Sequence, residues 1–576
     1  MRRPASAILV SPLSRSGLVA LVGLWSGLWG ALAISAAEPG AEAAVPADGG
    51  YDLSGALALV DWLAWAASDR EVEAYLAHAR TPAGPFAVAL RPEAVGQLHT
   101  TAMPALYAVE ATVGDLRVGG RSHVLVQVHE AVVYDNPAQV PLDGLAFRLF
   151  PNGQDHRKRG VEIQGVWVDN QQAEWALDGT VFSIELPEPL PPGERARILL
   201  HLVVDVPEFD PREPLEDGAF DPETTGAFGR ADGTLNLGYL LPLVTPVDRR
   251  GRFDIRPIRA NTEHAMFDPA LFHVVLNAPS DLTVATTGVA VHRTDEGDQS
   301  TTVAVAGPSR DFAIALVPNA AVTEAEVNGT TIRVVAPAGD PLLGRHLLAY
   351  AEGAFRTCTD RFGPIAAAEL DVVESPIRVL TGIEYPGLIT VDVSHQGVPY
   401  HRSANHEWVV AHEVAHQWWG VEVGNDPALA PWLDEALASH AVTVYWEARY
   451  GPDAVDGRLG LDVYDRVARL RDAGAPDLPA DLPAWKYDLD QYAAIVYGRG
   501  SLFFDHVRAT LGDDRYFEAL RAYHDAFTGR FVTADDLVGA LAGADGDPET
   551  AAAVRALYAR WITEAHSYED LTASTR

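Results

Sequence analysis

Four side chains in one stretch of this chain have the types and spacing of a metal site. His412 and His416 lie four residues apart, Glu413 follows the first, and Glu435 comes after an eighteen-residue spacer. On an α-helix, residues i and i+4 project from one face, so both imidazoles can grip one ion. Glu413 is close enough to reach a water on that ion, and Glu435 supplies a third ligand from a second helix. Two His and one Glu leave the fourth zinc position open, as a catalytic site requires. One Zn2+ per chain is the cofactor these donors imply, though other divalent ions accept the same ligands. Zinc acidifies bound water and polarises a carbonyl. Glu413 is then the base that takes the water's proton and delivers it to a leaving group.

The surrounding residues fit this arrangement. Trp408-Val409-Val410-Ala411 leads in with apolar residues and no Pro or Gly, as a buried helix would. Gly420 ends the helical pattern, Asn425-Asp426-Pro427 reads as a turn, and Pro431 sits where a second helix would begin. His406 and His440 also lie nearby in sequence and read as structural.

Three motifs in order carry a family resemblance. His412-Glu413-Val414-Ala415-His416-Gln417-Trp418-Trp419-Gly420 with Trp432-Leu433-Asp434-Glu435 resembles the signature of the gluzincin aminopeptidases, the family of aminopeptidase N and leukotriene hydrolase. Upstream, Thr381-Gly382-Ile383-Glu384-Tyr385-Pro386-Gly387 is similar to that family's G-A-M-E-N segment. Downstream, Tyr497-Gly498-Arg499-Gly500 resembles its Y-x-K-G. Thr381, Ile383 and Tyr385 depart from the second motif, and Arg499 replaces the Lys of the third, keeping the charge but changing its geometry. These departures bear on substrate preference more than on chemistry.

The resemblance implies roles. His412, His416 and Glu435 would be the zinc ligands and Glu413 the base. Tyr497 would be the oxyanion donor; Tyr492 is its rival, and Tyr497 is preferred because it heads the third motif. Glu384 would bind the α-ammonium of a free N-terminus by a charge-assisted hydrogen bond. Gly382 and its neighbours would pair with an extended substrate as an added strand. The implied fold is an α+β multidomain chain. An antiparallel, saddle-like β domain precedes a thermolysin-like, mainly helical zinc peptidase domain, in a short, bacterial-type member without the further helical domain that roofs the cleft in larger ones.

The activity so implied is removal of N-terminal residues from peptides. Two other readings stay open: a zinc endopeptidase using the same site, and a non-catalytic peptide-binding scaffold on the peptidase fold.

Composition narrows the partners. The formal charge of −36 excludes a nucleic-acid partner, because nothing offsets phosphate repulsion. Basic residues are nearly all Arg, the only lysines being Lys158 and Lys486. The single cysteine, Cys358, forms no intramolecular disulfide and reads as a small buried hydrophobe. Oligomeric state is not legible.

The N-terminus reads as a targeting segment. Arg2, Arg3 and Arg15 precede an uncharged stretch from Gly17 to Ile34, and Ser35-Ala36-Ala37 offers a cleavage site. Cleavage after Ala37 is the favoured reading and a single uncleaved membrane anchor the alternative. Either places the bulk of the chain in an exported, extracytoplasmic location.

The expected layout follows. Residues 1–37 form the signal or anchor, and 38–100 a linker and helical extension with an apolar face of Leu57, Leu59, Trp62, Leu63 and Trp65. Residues 101–337 form the β-rich domain, with Val124, Val126 and Val128 alternating through one strand. Residues 338–576 form the peptidase domain. Leu342 to Phe362 reads as an amphipathic helix, and Leu370-Asp371-Val372-Val373 as a hairpin-like run.

Overall fold

A computed structural model describes residues 59–118, 121–152, 160–212, 226–257, 266–378, 381–393 and 404–571. The targeting segment expected at 1–37 and the linker that follows it lie outside the described residues. No helix among those described is long and apolar enough to cross a membrane.

The N-terminal half is strand-rich. Its largest sheet has eight strands, centred on Ala105–Val118, Arg121–Asp135 and Arg195–Val206. Val124, Val126 and Val128 alternate along the second of these and all three are buried, as a strand with one core face dictates. The sheet is antiparallel except where Ala105–Val118 runs parallel to Ala270–Pro279. Two four-stranded antiparallel sheets complete this half.

The extension before it begins with the helical stretches Leu59–Ala66 and Asp69–Ala79, the second opened by a reciprocal Ser68–Glu71 cap. Leu59 and Leu63 are buried, but Trp65 is 39% exposed, so the expected apolar face is narrower than the sequence pattern. The extension ties both halves together. The Arg197 guanidinium donates to the Ala67 carbonyl at 2.6 Å, and Arg91 and Ala368 exchange backbone bonds with Ala366 and Ala89 at 2.9 and 3.0 Å.

A five-stranded sheet holds the rest in place. Its strands are β1 (Ala320–Val327), β2 (Thr330–Pro337), β3 (Glu369–Glu374), β4 (Gly382–Tyr385) and β5 (Leu388–Val391), in the order β1-β2-β3-β5-β4. β3 is therefore a central strand, parallel to both β2 and β5, and not half of a hairpin. The sheet also crosses the 337/338 boundary, because its first hairpin lies before that point. Both faces are covered. Ile332, Val334, Leu370, Val372 and Ile389 join the helical core, while Val335, Val373 and Leu388 join the core of the β half. Burial on two faces explains the consecutive Val residues.

Helices pack on the first of those faces. The main ones are α1 (Pro341–Phe362), α2 (Ala404–Ala415), α3 (Glu435–Tyr450) and α4 (Gly500–Leu511). Asp340 caps α1, and Pro341 occupies its first turn. Cys358 is buried on α1, where burial pushes its thiol pKa up.

Candidate active site

α2 carries the two histidines because its sequence makes it a helix buried on nearly every side. Val410, Ala411, Val414 and Ala415 are all at most 2% exposed. His416 lies one residue past the helix end, yet its N–H still donates to the His412 carbonyl at 3.2 Å, which keeps both rings on one face. Gly420 then reverses the chain at φ +109°, a conformation an L side chain rarely adopts. A tight turn at Pro431–Leu433 leads into α3, and Glu435 is its first residue, where the helix dipole favours a carboxylate.

These elements bring three donor atoms to one point. His412 Nε2 lies 3.1 Å from His416 Nε2 and 3.1 Å from Glu435 Oε2, and His416 Nε2 lies 3.3 Å from the same oxygen. A tetrahedral ion with bonds of about 2.0–2.1 Å has ligand–ligand edges of about 3.3–3.4 Å. The triad therefore fits such an ion. His416 Nδ1 donates to the Trp419 carbonyl at 2.9 Å, which leaves Nε2 as the donor facing the centre. Charge points the same way. Glu384, Glu413, Asp434 and Glu435 act together on His416, in a region where three of the four are buried. Two imidazoles cannot neutralise that much buried negative charge without a proton or a cation.

The pKa directions follow from this crowding. Burial would strip His416 of its proton, but Glu384, Glu435 and Glu413 outweigh it and raise its pKa. Burial leads in lowering His412, to about 4. Glu435 is held at about 2 because its hydrogen bonds to both histidines overcome the cost of burial. Burial, and then Glu384, push Glu413 well above the ordinary carboxylate range.

Glu384 arrives from the other side, on β4. In a strand, successive side chains point to opposite faces. Ile383 and Tyr385 are buried in the core of the β half. Gly382 and Glu384 therefore face the catalytic centre, where Glu384, Glu413 and His416 present donor atoms within 4.8 Å of one another. β4 is also the outermost strand of its sheet, so among the described residues one of its backbone edges has no strand partner.

Residues 358–561 match the peptidase family M1 domain, a span that holds all seven expected site residues. This chain carries a peptidase family M1 domain. The expectation of a gluzincin aminopeptidase relative is thus borne out. The chain is 26% identical to aminopeptidase M1-B of Oryza sativa subsp. japonica over 48% of its own length and 33% of that protein's. It is 32% identical to aminopeptidase N of Lactococcus lactis subsp. lactis over 24% of its length and 17% of that protein's. It thus spans a third or less of these curated relatives. Its fold resembles the crystal structure of an M1 zinc metallopeptidase from Deinococcus radiodurans, with a TM-score of 0.55 and 23% identity over 79% of this chain and 94% of that one.

The third motif carries one more of the expected site residues. Tyr497 reaches the site: its hydroxyl donates to Glu435 Oε1 at 2.5 Å, and its ring stacks on His412. It sits in a π-helical stretch, Tyr492–Arg499, whose wider turn is frequent at functional sites. Tyr492 packs its ring edge-on against Tyr497. Arg499 points elsewhere. It is fully buried and donates to the carbonyls of Glu564 and Arg560 at 2.7 and 2.5 Å. His440 is buried beside Asp505, 3.0 Å away, and is not among the converging donors.

Two residues of the M1 domain carry functions that the sequence reading did not assign. Trp408 lies one helical turn before His412 and stacks on its ring at 4.7 Å and 13°. No described residue bonds His412 Nδ1, and the stacked Trp408 ring lies against this imidazole instead. The i−4 spacing was the available signal. Gln417, next to His416, bonds the backbone of the β4–β5 hairpin; only its place within the motif marked it.

Proposed function

We propose that this chain is a zinc aminopeptidase that hydrolyses N-terminal residues from peptides with a free N-terminus. The observation that carries the reading is the pairing of a tetrahedral-edged His412–His416–Glu435 triad with two carboxylates, Glu413 and Glu384, that meet beside it from a helix and an edge strand. Its likeness to aminopeptidases of Oryza sativa and Lactococcus lactis supports it.

His412, His416 and Glu435 would hold the ion. When bound, zinc supplies an acidified water and a polarised carbonyl. Glu413 takes the proton of the attacking water and passes it to the leaving amine. Tyr497 turns its hydroxyl from Glu435 towards the developing oxyanion. Glu384 binds the substrate's ammonium and so places the first peptide bond over the centre. The free edge of β4 pairs with the extended peptide backbone.

The deciding experiment is hydrolysis of leucyl, alanyl and arginyl 4-nitroanilides, each beside its N-acetylated twin, with and without a zinc chelator. Chelator-sensitive release from the free-amine members alone is expected. Cleavage of the acetylated twins would point to an endopeptidase. No cleavage by zinc-loaded, folded protein would point to a binding scaffold.

Export is part of the proposal and rests on the N-terminal sequence. Recovery of the chain from an extracytoplasmic fraction with Glu38 as its first residue is the expected result. Retention of Met1 in a membrane fraction would favour the anchor.

A further inference from the structure

Gln417 lies immediately after the second histidine and is 1% exposed. Both ends of its side-chain amide are bonded. Nε2 donates to the Tyr385 carbonyl at 3.0 Å, and Oε1 accepts from the Gly387 N–H at 2.9 Å. Those two backbone groups flank Pro386, in the turn that joins β4 to β5. One side-chain amide thus copies the donor–acceptor pair of a ladder rung. It fastens the hairpin to the chain segment that carries His416.

The opposite side of β4 is fixed by other means. Tyr385 packs its ring against Tyr239, and its hydroxyl donates to the Ala227 carbonyl at 3.4 Å. Gly238 leaves the room for this, since a Cβ there would lie within 2.1 Å of that hydroxyl. The β half therefore fixes the Tyr385 side chain, and Gln417 fixes its backbone. Glu384 lies between Gly382, which is pressed against Glu413, and Tyr385, so it has little freedom to move relative to His416.

We infer that Gln417 is a positioning residue that sets where Glu384 meets the substrate's ammonium relative to the metal ligands. The inference rests on the aminopeptidase reading. Gln417 touches none of the reacting atoms; it acts through the hairpin. A buried amide that mattered only for stability would give another signature on removal: lower melting temperature, with binding of the free amine unchanged.

The test compares wild-type protein with Gln417→Met, which keeps the length and removes both hydrogen bonds. Gln417→Glu keeps the acceptor for Gly387 and loses the donor, and serves if the first variant does not fold. Three quantities are measured on full-length chain: bound zinc, deuterium exchange in the peptide covering Ile383 to Leu388, and kcat and KM on the nitroanilides and their N-acetylated twins. The expected result is one zinc per chain, faster exchange in that peptide, and a rise in KM for free-amine substrates of roughly tenfold, the scale of one or two lost hydrogen bonds. kcat should fall less than KM rises. Unchanged exchange overturns the clamp. Faster exchange with KM within twofold of wild type overturns the link to Glu384. Equal cleavage of both twins by wild-type protein overturns the aminopeptidase reading and this role of Glu384 with it, while the exchange arm still decides the clamp.

Discussion

Gly382 and Glu413 are packed so closely that no side chain fits between them. A Cβ at Gly382 would lie 2.3 Å from Glu413 Oε1 and 2.6 Å from its Cδ and Cγ. The glycine is therefore required by the Glu413 side chain, the proposed base. Gly382→Ala must move either the Glu413 carboxylate or β4. We expect kcat to fall on the order of a hundredfold, the lower end of what general-base help contributes, with zinc still bound. A variant with kcat within threefold of wild type would show that the base has room to spare.

Glu413→Gln keeps the size and hydrogen-bonding reach of the side chain but removes its capacity to accept the water's proton. Zinc content should stay at one per chain, since the ligand triad is untouched. Turnover should fall by about 10²–10⁴. Substantial residual activity would reassign the base.

Tyr497 does two things at once: it hydrogen-bonds the Glu435 carboxylate and stacks on the His412 imidazole at 5.2 Å and 26°. Tyr497→Phe keeps the ring and deletes the hydroxyl. kcat should drop on the order of 10²–10³, the usual cost of one oxyanion donor. Zinc should bind more weakly because Glu435 loses its hydrogen bond. Measuring kcat at saturating zinc separates the two effects. A loss that zinc fully restores would make Tyr497 a ligand-orienting residue only.

The triad was legible in the sequence because helical period alone fixes the relation of His412 to His416, and a second helix start fixes Glu435. Strand alternation was legible for Val124, Val126 and Val128 for the same local reason. What escaped depends on residues far apart in the chain. The parallel pairing of β2 with β3 matches Thr331 with Glu369, and no local pattern announces it. Hence the peptidase half was read as starting after a hairpin that belongs to its sheet. Arg499 was read only as a change of geometry within the third motif, because its partners, the carbonyls of Arg560 and Glu564, lie more than sixty residues downstream. Gly382 read as a strand glycine because its neighbour in space, Glu413, comes from a helix thirty-one residues on.

Arg499→Lys tests the structural role that the carbonyls of Arg560 and Glu564 give it. Lysine offers one ammonium where the guanidinium now reaches two carbonyls, at the end of the helical stretch Ala559–Thr563. The variant should lose on the order of 1–3 kcal/mol of stability, from weakened charge-assisted bonds inside the fold. Its kcat and KM at a temperature where it stays folded should match wild type. Denaturant unfolding and steady-state kinetics on the same preparation decide the matter. A kinetic defect without a stability defect would assign Arg499 a role in the active site.

His524 links pH to stability away from the metal centre. It is 3% exposed, and its Nε2 lies 2.8 Å from Glu422 Oε2. Glu422 in turn accepts from the Ala366 N–H at 2.5 Å, so the pair ties the helix Asp513–Phe527 to the segment before β3. Burial opposes charging His524, but Asp525 and Glu422 outweigh it and raise its pKa to about 9. In the unfolded chain the value is about 6.5. The folded state therefore holds a proton that the unfolded state has released between those two values. The stabilisation is fully present below about pH 6.5 and is lost as pH rises through about 9, by up to about 3 kcal/mol. Wild-type protein should lose melting temperature between pH 7 and 9.5. His524→Gln should start lower at pH 7 and show a flatter profile over that range. Parallel profiles for the two proteins would mean that the His524–Glu422 pair carries no net proton uptake on folding.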